Sequence, residues 1–389
     1  MSFRYLTAGE SHGKALVGIM EGLPSGMEIT SEYLHAHLQR RKLGYGRGAR
    51  QKIETDEVEM LTGIRHGMTL GSPISFVMHN RDWSAWKDIM QAEPFAGDVR
   101  RPVKVPRPGH ADLVGGLKYA HTDMRNVLER SSARETAMRV ALGTLARKFV
   151  EDLGVRIGSR VTRLGSVTDD TVVDLNGDEL NVRADASPVR ALDPAAEARM
   201  IAEVDQAKKA GDTLGGVFEV RVTGVPLGLG SYVQWDRRFE ADVGRAFLSL
   251  NAIKGVEVGL GFGFGALPGS QVHDEYQPGG RPGPGAVRYP TNRSGGIDGG
   301  MTTGQALVVR AAMKPLATLM KPLASVDLAT GVAASAHVER SDVCALPAAA
   351  VIGEALISLV LAQAILEKFG GDSMKEILPR VQAWNAASH

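Results

Sequence analysis

A single cysteine, Cys344, in 389 residues leaves no partner for an intramolecular disulfide and too few thiolates for a cysteine-built zinc site. The reducing cytoplasm is the compartment this cysteine usage points to. An excess of charge of one sign is missing as well. Lys and Arg number 45 against 44 Asp and Glu, for a net charge of +1. That balance excludes a protein that coats nucleic acid, and 43% apolar with 23% charged residues excludes a disordered chain. Long hydrophobic runs are absent: no window reaches the roughly 18 uncharged apolar residues of a membrane span. The most apolar stretch, Ala355 to Leu366, is broken by Gln363 and reads as a buried helix. The first residues carry Glu10 and Glu21 where a signal peptide would be apolar. Neither targeting nor membrane association is expected. Aromatic residues are few, with 10 Phe, 7 Tyr and 4 Trp.

Glycine, by contrast, is abundant: 46 residues, against a usual share of about 7%. Many backbone positions therefore call for positive φ or for close approach to another chain segment or a ligand. Residues 3–8 and 15–21 read as strands flanking a turn from Gly9 to Gly13, and Thr30 precedes a helix ending at Arg40, Arg41 and Lys42. A strand is expected around Val58 to Leu61. Residues 79–109 are rich in proline and read as an irregular excursion, ending where a helical pattern opens at Ala111. Ser132-Ala-Arg-Glu135 has the form of a capping box, followed by apolar residues at helical spacing up to Phe149.

A second helix is expected from Asp193-Pro194 to Gly211, strands at Val217 to Val222 and Leu307 to Met313, and a nearly all-apolar helix from Pro347 to about Phe369. Gln277 to Gly304, mostly Gly, Pro, Arg, Ser and Thr, reads as a functional loop or lid. No repeat and no linker divides the chain, so one domain over 1–389 is expected. Strands come in runs instead of alternating strictly with helices, which favours a mixed α/β (α+β) fold of antiparallel sheets packed on helices.

Several motifs carry chemistry. Gly9-Glu-Ser-His-Gly13 formally fits the G-x-S-x-G elbow of serine hydrolases, but only eight residues precede it and a plain tight turn is the simpler meaning. Against that simpler meaning stands His12, a group that titrates near neutral pH and has glycine beside it. Arg40 to Lys52 holds six cations (Arg40, Arg41, Lys42, Arg47, Arg50, Lys52) and no acid, with Gly44, Gly46 and Gly48 between them. Such a run serves equally as a solvated face or as a receptor for a carboxylate or phosphate. Arg130-Ser-Ser-Ala-Arg134 puts two arginines at the positive end of a helix, a conflict that an anion would relieve. Arg340-Ser-Asp342 offers an acid positioned by an arginine. Gly261 to Ala266 imitates a dinucleotide fingerprint without the helix that should follow it. The histidines lack metal-ligand spacing, so no metal is proposed.

Three stretches taken together resemble the signature regions of the chorismate synthase family, in order and at the family's spacing. They are Gly9 to Pro24, Glu129 to Thr136, and Arg340 to Cys344 with Glu354-Ala-Leu356. Arg107 to Asp112, Asn251 to Gly255, Gly295 to Met301 and Lys314 to Thr318 are similar to that family too, so the resemblance spans essentially the whole chain. It implies a sandwich with a helical layer between two four-stranded antiparallel sheets, assembled as a homotetramer. It implies a lyase of the shikimate pathway that converts 5-enolpyruvylshikimate 3-phosphate to chorismate by anti-1,4-elimination of phosphate, with reduced FMN and no net redox change. A substrate bearing two carboxylates and a phosphate gives the arginine loops a purpose.

The resemblance also implies residue roles. His12 would protonate reduced FMN or maintain its charge state, His110 would assist the departing phosphate as an acid, and Asp342 would help draw the proton away through the flavin. FMN contacts would come from Arg130, Ser131, Ser132, Asn251, Ala252 and Gly299. Lys314, Pro315, Leu316, Ala317, Thr318 and Arg340 would complete them. Ser11, Arg107 and Arg134 would hold substrate, while Arg41 and Arg47 would hold either its anions or NADPH acting as reductant. No reductase domain is appended, which leaves the reduced FMN to an external flavin reductase. The competing readings are a flavin-independent binder of a phosphorylated acid and, further off, a serine hydrolase acting through Ser11.

Overall fold

The computed structural model describes residues 3–48, 53–98, 100–279, 286–339 and 341–388. Four strands, β1 (Arg4–Ala8), β2 (Ala15–Glu21), β3 (Glu59–Thr62) and β4 (Ile74–His79), form an antiparallel sheet in the order β1-β2-β4-β3. Period-two alternation in β4 sends Ile74, Phe76 and Met78 to one buried face. The β1–β2 turn depends on Gly9, whose φ is +105° and where a Cβ would strike the Ala15 backbone oxygen.

Helix α1 (Ser31–Lys42) starts where the Thr30 side chain accepts the Tyr33 amide. Two short helices, α2 (Asp112–Lys118) and α3 (Arg125–Leu128), precede α4 (Thr136–Asp152). The expected capping box at Ser132 forms only in part. Ser132 accepts the Arg134 amide, but Glu135 pairs with Arg139 one turn on, so a 3-10 turn, Ala133–Glu135, intervenes before α4.

The second sheet is built from β5 (Arg156–Leu164), β6 (Val167–Thr168), β7 (Gly216–Thr223), β8 (Ile253–Val258) and β9 (Leu307–Met313), antiparallel throughout in the order β8-β9-β7-β5-β6. It has five strands where four are expected. The fifth is the two-residue β6, which folds back from the end of β5 at Gly165. Helices α5 (Gly177–Asp185), α6 (Pro194–Ala210) and α7 (Phe239–Leu248) lie along the connections of this sheet. In α6 the Asp193 cap and the left-handed Gly211 stop fall where the sequence puts them. The run 277–304 contains the short pairings Gln277–Pro278 with Val287–Arg288 and Ile297–Asp298 with Met301–Thr302, and residues 280–285 lie outside the described set.

Helix α8 (Leu346–Phe369) closes the core, followed by α9 (Met374–Ser388). It is long and apolar enough in composition to cross a membrane, and 83% of its apolar window is buried inside the molecule. Leu356, Ile357 and Leu361 are at most 1% exposed, each contributing on the order of 1.5–3 kcal/mol by burial. Met138 and Leu142 of α4 abut Gly18 in the first sheet, Gly143 of α4 faces Ala355 of α8, and Gly353 of α8 lies against Phe218 and Val220 of the second sheet. Glycine thus sets the close approach of α4 to the first sheet, of α4 to α8 and of α8 to the second sheet.

One charge interrupts α8. Glu354 is 1% exposed and accepts from Arg40 (2.7 Å), Arg147 (2.5 Å) and Ser159 (2.5 Å). Burial alone would raise its carboxyl, but Arg40, Arg147 and Arg190 together hold it well below the usual carboxylate range. Arg40, counted in sequence with the anion-binding cations, is therefore committed to the core, where it anchors the end of α1. Its neighbour Arg41 is thereby fixed at the edge of a cleft.

Candidate active site

Segments distant in sequence converge on a cleft of about 620 Å³: the β1–β2 turn, the loop after α1, residues 107–111 and 128–136, the starts of β8 and α8, and the chain leaving β9. One wall is apolar, with Leu128, Leu250, Ile253, Met313, Leu316 and Ile352. The rest is strongly cationic. Arg41, Arg47, Arg107, Arg134, Lys254 and Lys314 face the cleft, against three acids, Glu54, Glu339 and Asp342.

Two histidines stand at this cleft, each backed by a buried carboxylate. His12 is 7% exposed; its backbone N–H donates to Glu129 Oε2 (2.8 Å) and its Nδ1 lies 2.9 Å from Oε1. Glu129 is supplied by the C-terminal end of α3, where Arg125 also donates to it (3.1 Å). Burial would raise the Glu129 carboxyl, but hydrogen bonds from His12 and Arg125 bring it below its ordinary value. His110 repeats the arrangement, with Nδ1 2.6 Å from Asp112 Oδ1. Asp112 opens α2 and is fully buried. It also accepts from Arg107 Nε (2.8 Å), while Arg107 Nη1 donates to Thr318 Oγ1 (2.7 Å). Here too burial acts upward, yet the bonds from His110 and Arg107 hold the carboxyl far below the usual range. In both cases the carboxylate fixes the ring by Nδ1, the arrangement that positions a histidine for proton transfer through Nε2; on His110 that nitrogen also lies 3.4 Å from Arg107 Nη2.

The arginines are held but not saturated. Asp56, in the left-handed region at φ 53°, bridges Arg41 (2.6 Å) and Arg134. Burial pushes its carboxyl up, but the two guanidinium groups bring it down to about 2. Arg134 also donates to Asn80 Oδ1 (3.0 Å). Arg47 pairs with Asp342 (3.2 Å), which accepts the Gly48 amide at 2.6 Å. Burial depresses the Arg47 guanidinium, Asp342 offsets part of that, and Arg41 adds to it. Lys314 is depressed by burial and by Lys254. Arg41 Nε and Arg47 Nε are buried without a hydrogen-bond partner among the described residues. Positive charge is thus concentrated on one side of the cleft lining, with guanidinium groups that are only partly paired.

The sequence profile of the chorismate synthase family matches residues 3–366. The chain belongs to the chorismate synthase family. It is 53% identical over 381 residues to the chorismate synthase of Desulforamulus reducens, covering 98% of each chain. To that of Chlorobaculum tepidum it is 51% identical, over 99% of this chain and 98% of the other. A solved chorismate synthase structure superposes with a TM-score of 0.79 at 38% identity, over 100% of this chain and 99% of that one. As a member of the family the chain is a phosphate-eliminating lyase of the shikimate pathway.

Most residues singled out by the family resemblance line one cleft: Ser11, His12, His110 and Asp342, the four arginines, and Ser131, Ser132, Asn251, Ala252, Lys314, Leu316, Ala317 and Thr318. The Ser11 hydroxyl donates to Ser132 Oγ (3.0 Å). Three residues stand apart. Arg130 turns to the β1 end, donating to the Thr7 (2.8 Å) and Gly9 (3.0 Å) carbonyls. Gly299 sits in the hairpin between Ile297–Asp298 and Met301–Thr302, and Pro315 is not among the lining residues. Arg340 lies outside the described residues, as do Arg50 and Lys52; the arginine found on Asp342 is Arg47. The crowding expected of Arg130 and Arg134 is resolved without a ligand, by Arg130 turning away and Arg134 meeting Asp56. What sequence reasoning missed is the set of carboxylates behind the visible residues: Glu129, Asp112, Asp56 and Glu54. Glu129 and Asp112 lie inside the matching motifs, and that was the available signal.

Proposed function

We propose that this chain converts 5-enolpyruvylshikimate 3-phosphate to chorismate and phosphate by anti-1,4-elimination, with reduced FMN bound beside the substrate. The observation that carries the reading is the pairing, in one cleft, of unsaturated buried arginines with two carboxylate-backed histidines. A substrate with two carboxylates and a phosphate matches that charge; a neutral substrate would leave it uncompensated.

The residues present fit a flavin. The apolar wall from Leu128 to Ile352 suits a flat ring, and at its edge the buried Asn251 Oδ1 has no hydrogen-bond partner, its Nδ2 being used on the Ser131 carbonyl (2.9 Å). Ser131, Ser132, Asn251, Ala252 and the stretch Lys314 to Thr318 would hold it. When bound, reduced FMN supplies an electron-rich ring that eases departure of phosphate where no carbonyl activates the hydrogen to be lost.

The protein's own groups do the rest. Arg107, Arg134, Arg41 and Arg47 bind the anions and fix the orientation of the ring. His110, tied to Asp112 through Nδ1, offers a proton from Nε2 to the leaving phosphate. His12, tied to Glu129, holds a proton at the cofactor side, and Asp342, oriented by Gly48 and Arg47, would help draw away the proton that the substrate loses, through the flavin when it is bound. NADPH bound at Arg41 and Arg47 would have to alternate with the substrate, because both would occupy the same guanidinium groups. The same reading takes the enzyme as a cytoplasmic homotetramer that receives reduced FMN from a separate reductase.

The test is anaerobic product formation with and without FMN and dithionite. Chorismate is expected only with reduced FMN; product without flavin, or no reaction of the enolpyruvyl compound, overturns the reading. His12→Ala and His110→Ala are each expected to lower turnover by about 10²-fold or more. Near-normal turnover in either removes that residue from the mechanism.

A further inference from the structure

The segment from Asn80 to Trp86 lies outside the stretches that carry the residue roles, yet it grips the histidine turn at two points. Asn80 Nδ2 donates to the carbonyls of Glu10 (3.2 Å) and Gly13 (2.8 Å), spanning the turn, while its Oδ1 accepts from Arg134. Beyond the 3-10 turn Arg81–Ala85, the indole of Trp86, only 4% exposed, stacks on the His12 ring with centroids 3.9 Å apart and planes 20° from parallel.

We infer that Trp86 is a positioning residue for the reaction, fixing the plane of the His12 imidazole so that Nε2 keeps its aim into the cleft. A hydrogen bond at Nδ1 settles which nitrogen is held but leaves the ring able to tilt about that bond. The turn itself supplies no wall, since Gly13 follows His12. A face contact from a large, buried ring removes this freedom. Trp86 is itself held: the Arg101 and Arg125 guanidinium groups lie 4.7 and 5.1 Å from its ring centroid, and Arg125 Nε donates to the Arg101 carbonyl (2.8 Å). Because Arg125 also donates to Glu129, the four side chains His12, Trp86, Arg125 and Glu129 close a ring of contacts. The charged groups around the imidazole are thus Glu129 and Arg125 from the α3 end, Arg101 behind the indole, and Glu10 within the turn. This role rests on the proposed part of His12 in proton handling.

Two measurements test it. With reduced FMN in excess, Trp86→Leu is expected to lose about 10- to 10²-fold in kcat, as small misplacements of a catalytic group do, with substrate KM little changed. Trp86→Phe, which keeps a flat face, is expected to restore most of that loss. In the resting protein an imidazole stacked on an indole perturbs its emission, so the Trp86 contribution to the fluorescence, read as wild type minus Trp86→Phe, should change in His12→Gln. A folded Trp86→Leu enzyme within about twofold of wild-type kcat, or one defective only in KM, overturns the inference. Should Trp86→Leu fail to fold, that contribution decides, and finding it unchanged in His12→Gln overturns the inference. If His12→Ala retains turnover, the parent reading of His12 fails; if His12→Ala is crippled and Trp86→Leu is not, only the positioning role fails.

Discussion

Replacing Asp112 by asparagine keeps the outline of the side chain and removes one negative charge from a site with no exposure to solvent. The carboxylate receives four contacts from donors: the Arg107 backbone N–H (3.1 Å), Arg107 Nε (2.8 Å), Arg107 Nη2 (3.1 Å) and His110 Nδ1 (2.6 Å). An amide has a single acceptor oxygen and turns two N–H groups toward the remaining donors, so Arg107 or His110 must lose its partner. The activity cost is that of a histidine acid without its orienting anion, about 10²-fold or more in kcat, or on the order of 3 kcal/mol in the barrier. The stability cost follows from leaving a buried cation short of its counter-charge, about 3 kcal/mol, the lower end for breaking such a pair because one acceptor survives.

The pH dependence has a definite sign. The folded Asp112 carboxyl lies below its unfolded value of about 3.9, so its contribution is complete above that value and fades as the pH falls through it toward the folded value. The stability gap between wild type and Asp112→Asn should be widest near neutral pH and should shrink once the pH drops below about 4. Urea unfolding followed by circular dichroism across that range, alongside anaerobic chorismate formation, gives both numbers. A variant within about threefold of wild-type kcat, or a gap that stays constant on acidification, refutes the account of this site.

Arg47→Ala should weaken substrate binding by about 10-fold or more while largely sparing FMN affinity, since a charge-assisted contact to an anion is worth about 1.5–3 kcal/mol. Titration with each ligand separately distinguishes this from the reverse pattern, which would reassign the loop to the cofactor. Gly143→Ala would place a methyl group 2.5 Å from Ala355 Cβ and 2.8 Å from its carbonyl oxygen. The expected destabilisation is about 1–3 kcal/mol, read from the urea midpoint; an unchanged midpoint would mean that α4 and α8 are not in contact limited by this residue.

The elements that could be read from sequence are those whose signals are local. Thr30 and Asp193 cap α1 and α6, Gly211 stops α6, and alternation marks β7 and β9. Strand β5 escaped because Arg156, Arg160 and Arg163 interrupt its pattern; Arg160 is buried where it donates to Glu219 of the neighbouring strand (3.0 Å) and to the Thr171 carbonyl (2.6 Å). Helix α5 could have been found, since Asn176 and Glu179 form a complete capping box. At the site, the motifs held the histidines and arginines that face a ligand, and Asp112 beside His110, while the other orienting acids meet their partners across long separations. Asp56 meets Arg134 across 78 positions, and Glu129 meets His12 across 117. No periodicity encodes such pairings. For the same reason Arg40 looked like part of the anion receptor, when its partner Glu354 lies 314 positions away.

The central place of α8 bears on how the molecule is made. Both α4 and the second sheet close against a helix that begins only at Leu346, so during synthesis each emerges before the surface it must cover exists. The decisive collapse therefore waits for residues 346–369, with apolar faces exposed on both sides of the gap until then. In that interval the nascent chain is most open to aggregation, and a chaperone that shields it until Phe369 has cleared the ribosome would raise the yield of folded enzyme more than any gain in the speed of forming the sheets.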